Sequence, residues 1–334
     1  MKLIRKILFP VVPIYYLVTW LRNKLYDLGI KKSESYNFPV VCVGNLSVGG
    51  TGKTPMIEYL IKLLKDDFKV ATLSRGYKRK TKGFELADNN ASAESIGDEP
   101  FQFYNKFVND VLVAVDSDRR NGIITLRNLQ QKPEIVLLDD AFQHRKVKAG
   151  FNILLTTYSN PYYLDFVLPT GNLREPKSGA KRANIIVVTK CPIDIKDSKK
   201  SNILNKIKPE PYQHVFFSSI AYSNEVFSND TSKKLESLPN FTLVTGIANA
   251  NPLVDFLKAE NLKFKHFNFK DHHEFSQQDI IQLEKQQLIV TTEKDFMRLK
   301  QYKSLTDKLF YLPITVVIDD KMKFNKLIKQ AVKH

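Results

Sequence analysis

Between residues 40 and 64 the chain reads VVCVGNLSVGGTGKTPMIEYLIKLL: an apolar run, a glycine-rich turn, then apolar residues at helical spacing. Gly49, Gly50 and Gly52 let backbone N–H groups turn inward around phosphate oxygens, Lys53 supplies a cation for β and γ phosphates, and Thr54 offers a hydroxyl to Mg²⁺. Pro55 suits a first helical turn, and Met56, Tyr59, Leu60, Leu63 and Leu64 mark the helix that follows. Ser47, Val48, Gly49, Gly50, Thr51, Gly52, Lys53 and Thr54 are therefore the candidate cradle for a nucleotide such as ATP. The general pattern GxxxxGK[ST] begins with Gly where this chain has Ser47.

A second chemical element is EIVLLDDAFQHR. Ile135 to Leu138 read as a buried strand, and Asp139 and Asp140 follow at its C-terminal end, where open α/β sheets hold their ligands. One carboxylate can take Mg²⁺ directly or through water, while the other orients a neighbour.

Positioning these loops requires strands and covering helices. Short β-branched runs recur at Pro39 to Val43, Lys69 to Leu73, Val111 to Val115, Glu134 to Leu138, Phe151 to Leu155 and Asn184 to Val188, with helical patterns between many of them. This predicts an α/β fold, a doubly wound, mostly parallel sheet of P-loop NTPase type. Further runs at Val215 to Phe217, Phe241 to Val244, Leu288 to Thr291 and Ile314 to Ile318, with helices near Leu253 to Lys258 and Ser276 to Lys285, predict a second, smaller α/β lobe. The polar segment Asp194 to Lys208 is the expected boundary. The predicted division is an N-terminal helix at 1–32, a nucleotide-binding domain at 33–200 and a lobe at 201–334.

The 334 residues carry 51 Lys+Arg against 35 Asp+Glu, a formal charge of +16 that calls for an anionic partner rather than a particular fold. No nucleic-acid-binding pattern is present, so nucleic acid is not the expected partner. At the N-terminus an apolar stretch from Ile7 to Leu21 is flanked by Lys2, Arg5, Lys6, Arg22 and Lys24. It falls short of the roughly 20 residues that span a bilayer and lacks a small-residue cleavage signature, so an interfacial helix on an anionic membrane surface is expected. Cys42 and Cys191 sit in separate strand-like runs and read as core thiols in a reducing compartment.

Five more segments are dense in chemistry: SRGYKRK (Ser74 to Lys80), IGDEPFQF (Ile96 to Phe103), PTGNLREP (Pro169 to Pro176), KDHHEF (Lys270 to Phe275) and TTEKDFMRL (Thr291 to Leu299). With the phosphate loop and DDAFQHR, this ordered set resembles the tetraacyldisaccharide 4'-kinase family, which phosphorylates the lipid A precursor at the bacterial inner membrane. Three departures stand out: Ser47, Ala141 where DDGFQHR has Gly, and GIANANP (Gly246 to Pro252) where the pattern is nearer GIANP. The resemblance implies ATP and Mg²⁺ as cofactors, an acylated disaccharide phosphate lipid as substrate, and work at the cytoplasmic face of the inner membrane. It further implies that Asp98 is the general base on the sugar hydroxyl and that His272 assists it, with His273 in reserve. Arg75, Arg79, Arg119, Arg120 and Arg174 are candidate forks for substrate phosphate. Arg174 and Glu175 are the favoured pair, Glu175 orienting Arg174 or contacting metal-bound water. A rival reading is a membrane-associated regulatory P-loop GTPase or ATPase. Guanine readers use [NT]KxD, however, and VVTKCPID has Pro192 at the acidic position.

Overall fold

Strands covered by helices on both faces need no alternation, so they read as continuous apolar runs. In the computed structural model, which describes residues 9–271 and 273–333, the chain runs from α1 (Val12–Asp27) to β1 (Val40–Asn45) and α2 (Lys53–Leu64). It continues through β2 (Val70–Ser74), β3 (Glu85–Leu86), α3 (Asp98–Lys106), β4 (Val111–Val115), α4 (Arg119–Arg127), β5 (Ile135–Asp139) and β6 (Phe151–Thr157). Then come β7 (Ile185–Thr189), α5 (Asp197–Ile207) and β8 (His214–Tyr222). The strands of the first sheet lie in the order β15-β8-β7-β6-β1-β5-β2-β4-β3, where β15 is Ile314–Ile318 from near the end of the chain. All pair in parallel except β3 on β4 and β15 on β8, the two edges. β2, β4 and β5 lie on one side of β1, with β5 inserted beside it, and β6, β7 and β8 follow on the other side, so the chain switches direction there and opens a crevice above the C-terminal ends of β1 and β5. The register Val43↔Asp139 brings the phosphate loop and the acidic pair to that crevice together.

The second sheet is made of β9 (Glu225–Phe227), β10 (Ser232–Lys234), β11 (Phe241–Thr245), β12 (Phe264–Asn268), β13 (Ile289–Thr292) and β14 (Leu309–Leu312). Their order is β10-β9-β14-β13-β11-β12. Helices α6 (Asn251–Ala259), α7 (Gln277–Glu284) and α8 (Glu293–Leu299) accompany them. The chain then returns through β15 to α9 (Lys321–Ala331), whose Phe324 packs edge-on against Tyr59 of α2 and Phe216 of β8.

Two expectations are corrected here. Asp194 to Lys208 is no linker: most of it is α5, whose Ile203 and Ile207 join the core under the first sheet. The runs at Val215 to Phe217 and Ile314 to Ile318 belong to the first sheet, so the sheets do not divide at residue 200. Residues 225–312 form an insertion between β8 and β15, whose junction is the antiparallel pair Tyr222↔Ile314. A local pattern identifies a strand; a partner some ninety residues away decides which sheet receives it.

Helix α1 is turned inside out relative to a soluble amphipathic helix. Its inward stripe is largely polar: Tyr15 donates its hydroxyl to the Arg174 carbonyl (3.0 Å), Thr19 is buried, and Asn23 donates to Glu175 Oε2 (2.6 Å). Its outward residues are Ile14, Leu17, Val18 and Leu21, all exposed, with Trp20 beside them. No helix among the described residues is long and apolar enough to cross a membrane. Residues 1–8 of the expected interfacial segment lie outside the described residues. Both cysteines are buried and free.

Candidate active site

The phosphate loop leaves β1 at Asn45 and enters α2 at Lys53. Gly52, just before the helix, has φ 88°, a left-handed conformation that a side chain would strain. No side chain caps α2, which leaves its first-turn N–H groups for an anion. The loop is gripped from outside by its carbonyls and flanks. Asn45 Nδ2 donates to Thr51 Oγ1 (2.7 Å), Thr189 Oγ1 to the Thr51 carbonyl (2.8 Å), and Lys190 Nζ to the Gly50 carbonyl (2.6 Å). The Val48 N–H donates to the Asn172 carbonyl (2.8 Å), while Ser47 forms a β-bridge with Leu173. That bridge explains Ser47: its φ is not left-handed, so the position does not need glycine.

The acidic pair is asymmetric. Asp139 ends β5 and is buried; Ser74 Oγ donates to its Oδ2 (3.3 Å), and its Oδ1 has no hydrogen-bond partner among the described residues. Burial, followed by the neighbouring Asp140 charge, pushes its carboxyl up to about 6. Asp140 takes φ 47°, which breaks it out of the strand. Its Oδ1 lies 3.7 Å from Lys53 Nζ, and both its oxygens accept from the Arg174 guanidinium at 3.0 and 3.1 Å. Because the left-handed residue is Asp140, Ala141 costs no backbone strain where the motif has Gly.

Asp98 opens α3 after Gly97, whose φ is 95°. Its carboxylate is held by Arg298 of α8, whose Nε donates at 3.1 Å and whose NH2 makes a second bond. Arg298 also reaches the buried Asp295 Oδ1 at 3.3 Å. Alongside, Lys294 pairs with Glu99 (2.9 Å), and Lys106 bridges Glu58 and Glu293, each at 2.7 Å. These pairs tie α3 of the first sheet to α8 of the second. The Glu99 charge adds to the upward push on the Asp139 carboxyl.

The family described as Tetraacyldisaccharide-1-P 4'-kinase matches residues 4–333. The chain belongs to that family. It is an ATP-dependent kinase of lipid A biosynthesis. The tetraacyldisaccharide 4'-kinase of Flavobacterium johnsoniae is 51% identical over 339 residues, covering 100% of this chain and 98% of its own. The Bacteroides fragilis enzyme is 47% identical over 336 residues, covering 94% and 89%. Among solved structures, LpxK from Aquifex aeolicus in complex with ATP superimposes with a TM-score of 0.82 at 31% identity, covering 98% of this chain and 99% of that one.

Within the kinase, Lys53, Asp139, Asp140 and Arg174 come together, with Thr54 next to Lys53 at the head of α2. Glu175 does not join them as a metal ligand. It is 1% exposed, and its oxygens are taken by Asn23 (2.6 Å), Gln143 (2.9 Å) and Arg182 (2.8 Å), so it reaches Arg174 only through Gln143, whose Oε1 accepts from the Arg174 guanidinium at 3.4 Å. Arg119 is no phosphate fork either, being buried with its guanidinium on the carbonyls of Asp116 and Asp139. Arg120 pairs with Asp118, and Arg79 donates to the carbonyls of Gly83 and Val115. Arg75 is exposed. His272 lies outside the described residues, while His273 is committed to Asp279 (2.9 Å) and stacked on Phe269.

Sequence reasoning missed Arg298 and Lys190. Arg298 was visible only as part of TTEKDFMRL, and Lys190 only as a failed guanine-reading motif, whereas its ammonium clasps the phosphate loop.

Proposed function

We propose that the kinase moves the γ-phosphate of MgATP to the 4'-hydroxyl of a tetraacylated glucosamine disaccharide 1-phosphate held in a membrane. The observation that carries this reading is the convergence of Lys53, Asp139 and Asp140 above the paired ends of β1 and β5. The inward N–H groups of the loop and the Lys53 ammonium bind and orient the triphosphate. The buried, unpaired Asp139 Oδ1, with Asp140 and the Thr54 hydroxyl, is a hard-oxygen set that suits Mg²⁺. Mg²⁺ bound there supplies charge neutralisation on the phosphate oxygens. Arg174, at the same rim, steadies an anionic group of the acceptor or the transferring phosphoryl.

Asp98 orients the acceptor hydroxyl and takes its proton late, which a loose transition state permits even for a carboxylate of low basicity. His272 is the proposed assistant to Asp98. If the two act as one unit, the double variant loses little more than the worse single variant. The outward apolar face of α1 lies in the headgroup boundary of the cytoplasmic leaflet, where ATP is supplied and the acyl chains of the acceptor reside.

The decisive assay incubates the purified chain with γ-labelled ATP, Mg²⁺ and a tetraacyldisaccharide 1-phosphate in detergent micelles. Label entering the lipid, and its loss in Lys53→Ala, is the expected result. ATP hydrolysis without lipid labelling would overturn the acceptor assignment.

A further inference from the structure

The segment between β6 and β7 presents a second apolar surface. Its alternation is sharp: Tyr162 and Val167 are buried, whereas Leu164 and Phe166 are 61% and 60% exposed. Large exposed apolar side chains are ordinary when scattered singly, but these two share one short turn beside a helix that already faces outward with apolar residues. The connection to α1 is direct. The Phe166 carbonyl accepts from the Leu173 N–H (2.9 Å), and the next carbonyl, that of Arg174, accepts from Tyr15 of α1 (3.0 Å). Basic charge accompanies the apolar pair: Lys177 Nζ lies 5.7 Å from the centre of the Phe166 ring and donates to the Tyr163 carbonyl (2.7 Å), and the exposed Lys181, paired with Glu210 (2.7 Å), follows in the same turn. Aromatic and aliphatic tips ringed by lysine fit the interface of an anionic bilayer.

The turn is also braced. Asp165 accepts from the Asn172 N–H (3.2 Å) and from Asn172 Nδ2 (3.0 Å), and Asn172 in turn accepts from Val48 of the phosphate loop (2.8 Å). Anything that seats Leu164 and Phe166 therefore seats a rim of the nucleotide site.

We propose that Leu164 and Phe166 are a second insertion point into an anionic phospholipid bilayer, working beside the outward face of α1. This rests on the membrane reading of α1 given above. Two points of insertion fix the tilt of the body against the membrane, which one helix alone leaves free to rotate about its axis.

Trp20 is the single tryptophan of the chain and reports on α1. The full-length wild type and a full-length Trp20→Phe/Phe166→Trp chain are each mixed with phosphatidylglycerol and phosphatidylethanolamine vesicles carrying brominated acyl chains, which quench an indole only on contact. Quenching in both proteins is the expected result. Quenching of Trp20 alone overturns the second insertion point and leaves the α1 reading standing; quenching of neither overturns both. A Phe166→Trp indole that shifts to the blue with protein concentration in the absence of vesicles marks a contact between copies and also overturns the proposal. In parallel, Leu164→Ser/Phe166→Ser is expected to lower vesicle partitioning about tenfold or more, with the thermal unfolding midpoint of the wild type. Unchanged partitioning would sink the idea.

Discussion

Arg298 grips the Asp98 carboxylate across the boundary between the two sheets, through Nε at 3.1 Å and a second bond from NH2. Arg298 is itself braced by buried Asp295, which also accepts from the Gly246 N–H (2.9 Å). An arginine fork fixes the orientation of a carboxylate, so the second lobe aims the proposed base. Asp98→Asn should lower kcat by about 10² to 10⁴ fold, with little change in the KM for ATP. Arg298→Ala should cost less in kcat than Asp98→Asn, again with little change in the KM for ATP, and Arg298→Lys should restore part of the loss. An unchanged kcat in Arg298→Ala would show that Arg298 serves packing alone.

Glu175 and Asp139 should respond oppositely to neutralisation. Glu175→Gln removes a buried charge from Arg182 and Asn23, so it should cost about 2–3 kcal/mol of stability while leaving the Mg²⁺ dependence of the folded enzyme unchanged. Asp139→Asn removes a strained buried charge; thermal stability should hold or rise while the Mg²⁺ concentration for half-maximal activity climbs. Calorimetry and a Mg²⁺ titration on both variants decide the matter.

His144 supplies a pH test of stability. Burial, then the adjacent Arg119 charge, lowers its pKa from 6.5 to about 4, and its Nε2 has no hydrogen-bond partner among the described residues. Between those values the unfolded chain binds a proton that the folded chain refuses, so stability falls as pH drops from 6.5 toward 4 and this contribution levels off below. Compared with the wild type, His144→Asn should gain about 1–2 kcal/mol between pH 7 and pH 4.5. Denaturant titrations at the two pH values measure it, and a gap that stays constant would refute the assignment.

On α1, Leu17→Ser/Val18→Ser/Leu21→Ser should abolish most sedimentation with anionic vesicles without lowering the unfolding temperature, because these side chains touch solvent rather than the body. High salt should weaken binding of the wild type only in part, since screening removes the electrostatic share and leaves the apolar one.

The parallel strands of the first sheet were legible because burial on both faces writes them as unbroken aliphatic runs, and the phosphate loop because its chemistry is local. Asp139 and Asp140 were legible for the same reason, standing at a strand end. What escaped was decided by distant partners. Nothing near Glu175 announces that Asn23, Gln143 and Arg182 will occupy its oxygens. The polar sequence of α5 concealed a helix because only Ile203 and Ile207 turn inward. Arg298 acquires its meaning from a carboxylate two hundred positions earlier.

Tyr222 and Ile314 are cross-strand partners, and the next rung joins the Ser223 N–H to the Pro313 carbonyl at 3.0 Å. The chain thus enters and leaves the second sheet through adjacent rungs of one ladder, which makes the lobe a cassette with a ready splice point. A two-residue hairpin turn across that point would close β8 on β15 and keep the first sheet's strands, the phosphate loop, Lys53, Asp139 and Asp140. Arg298 would leave with the cassette. Holding a nucleotide and clamping the Asp98 carboxylate are written on separable stretches of the sequence.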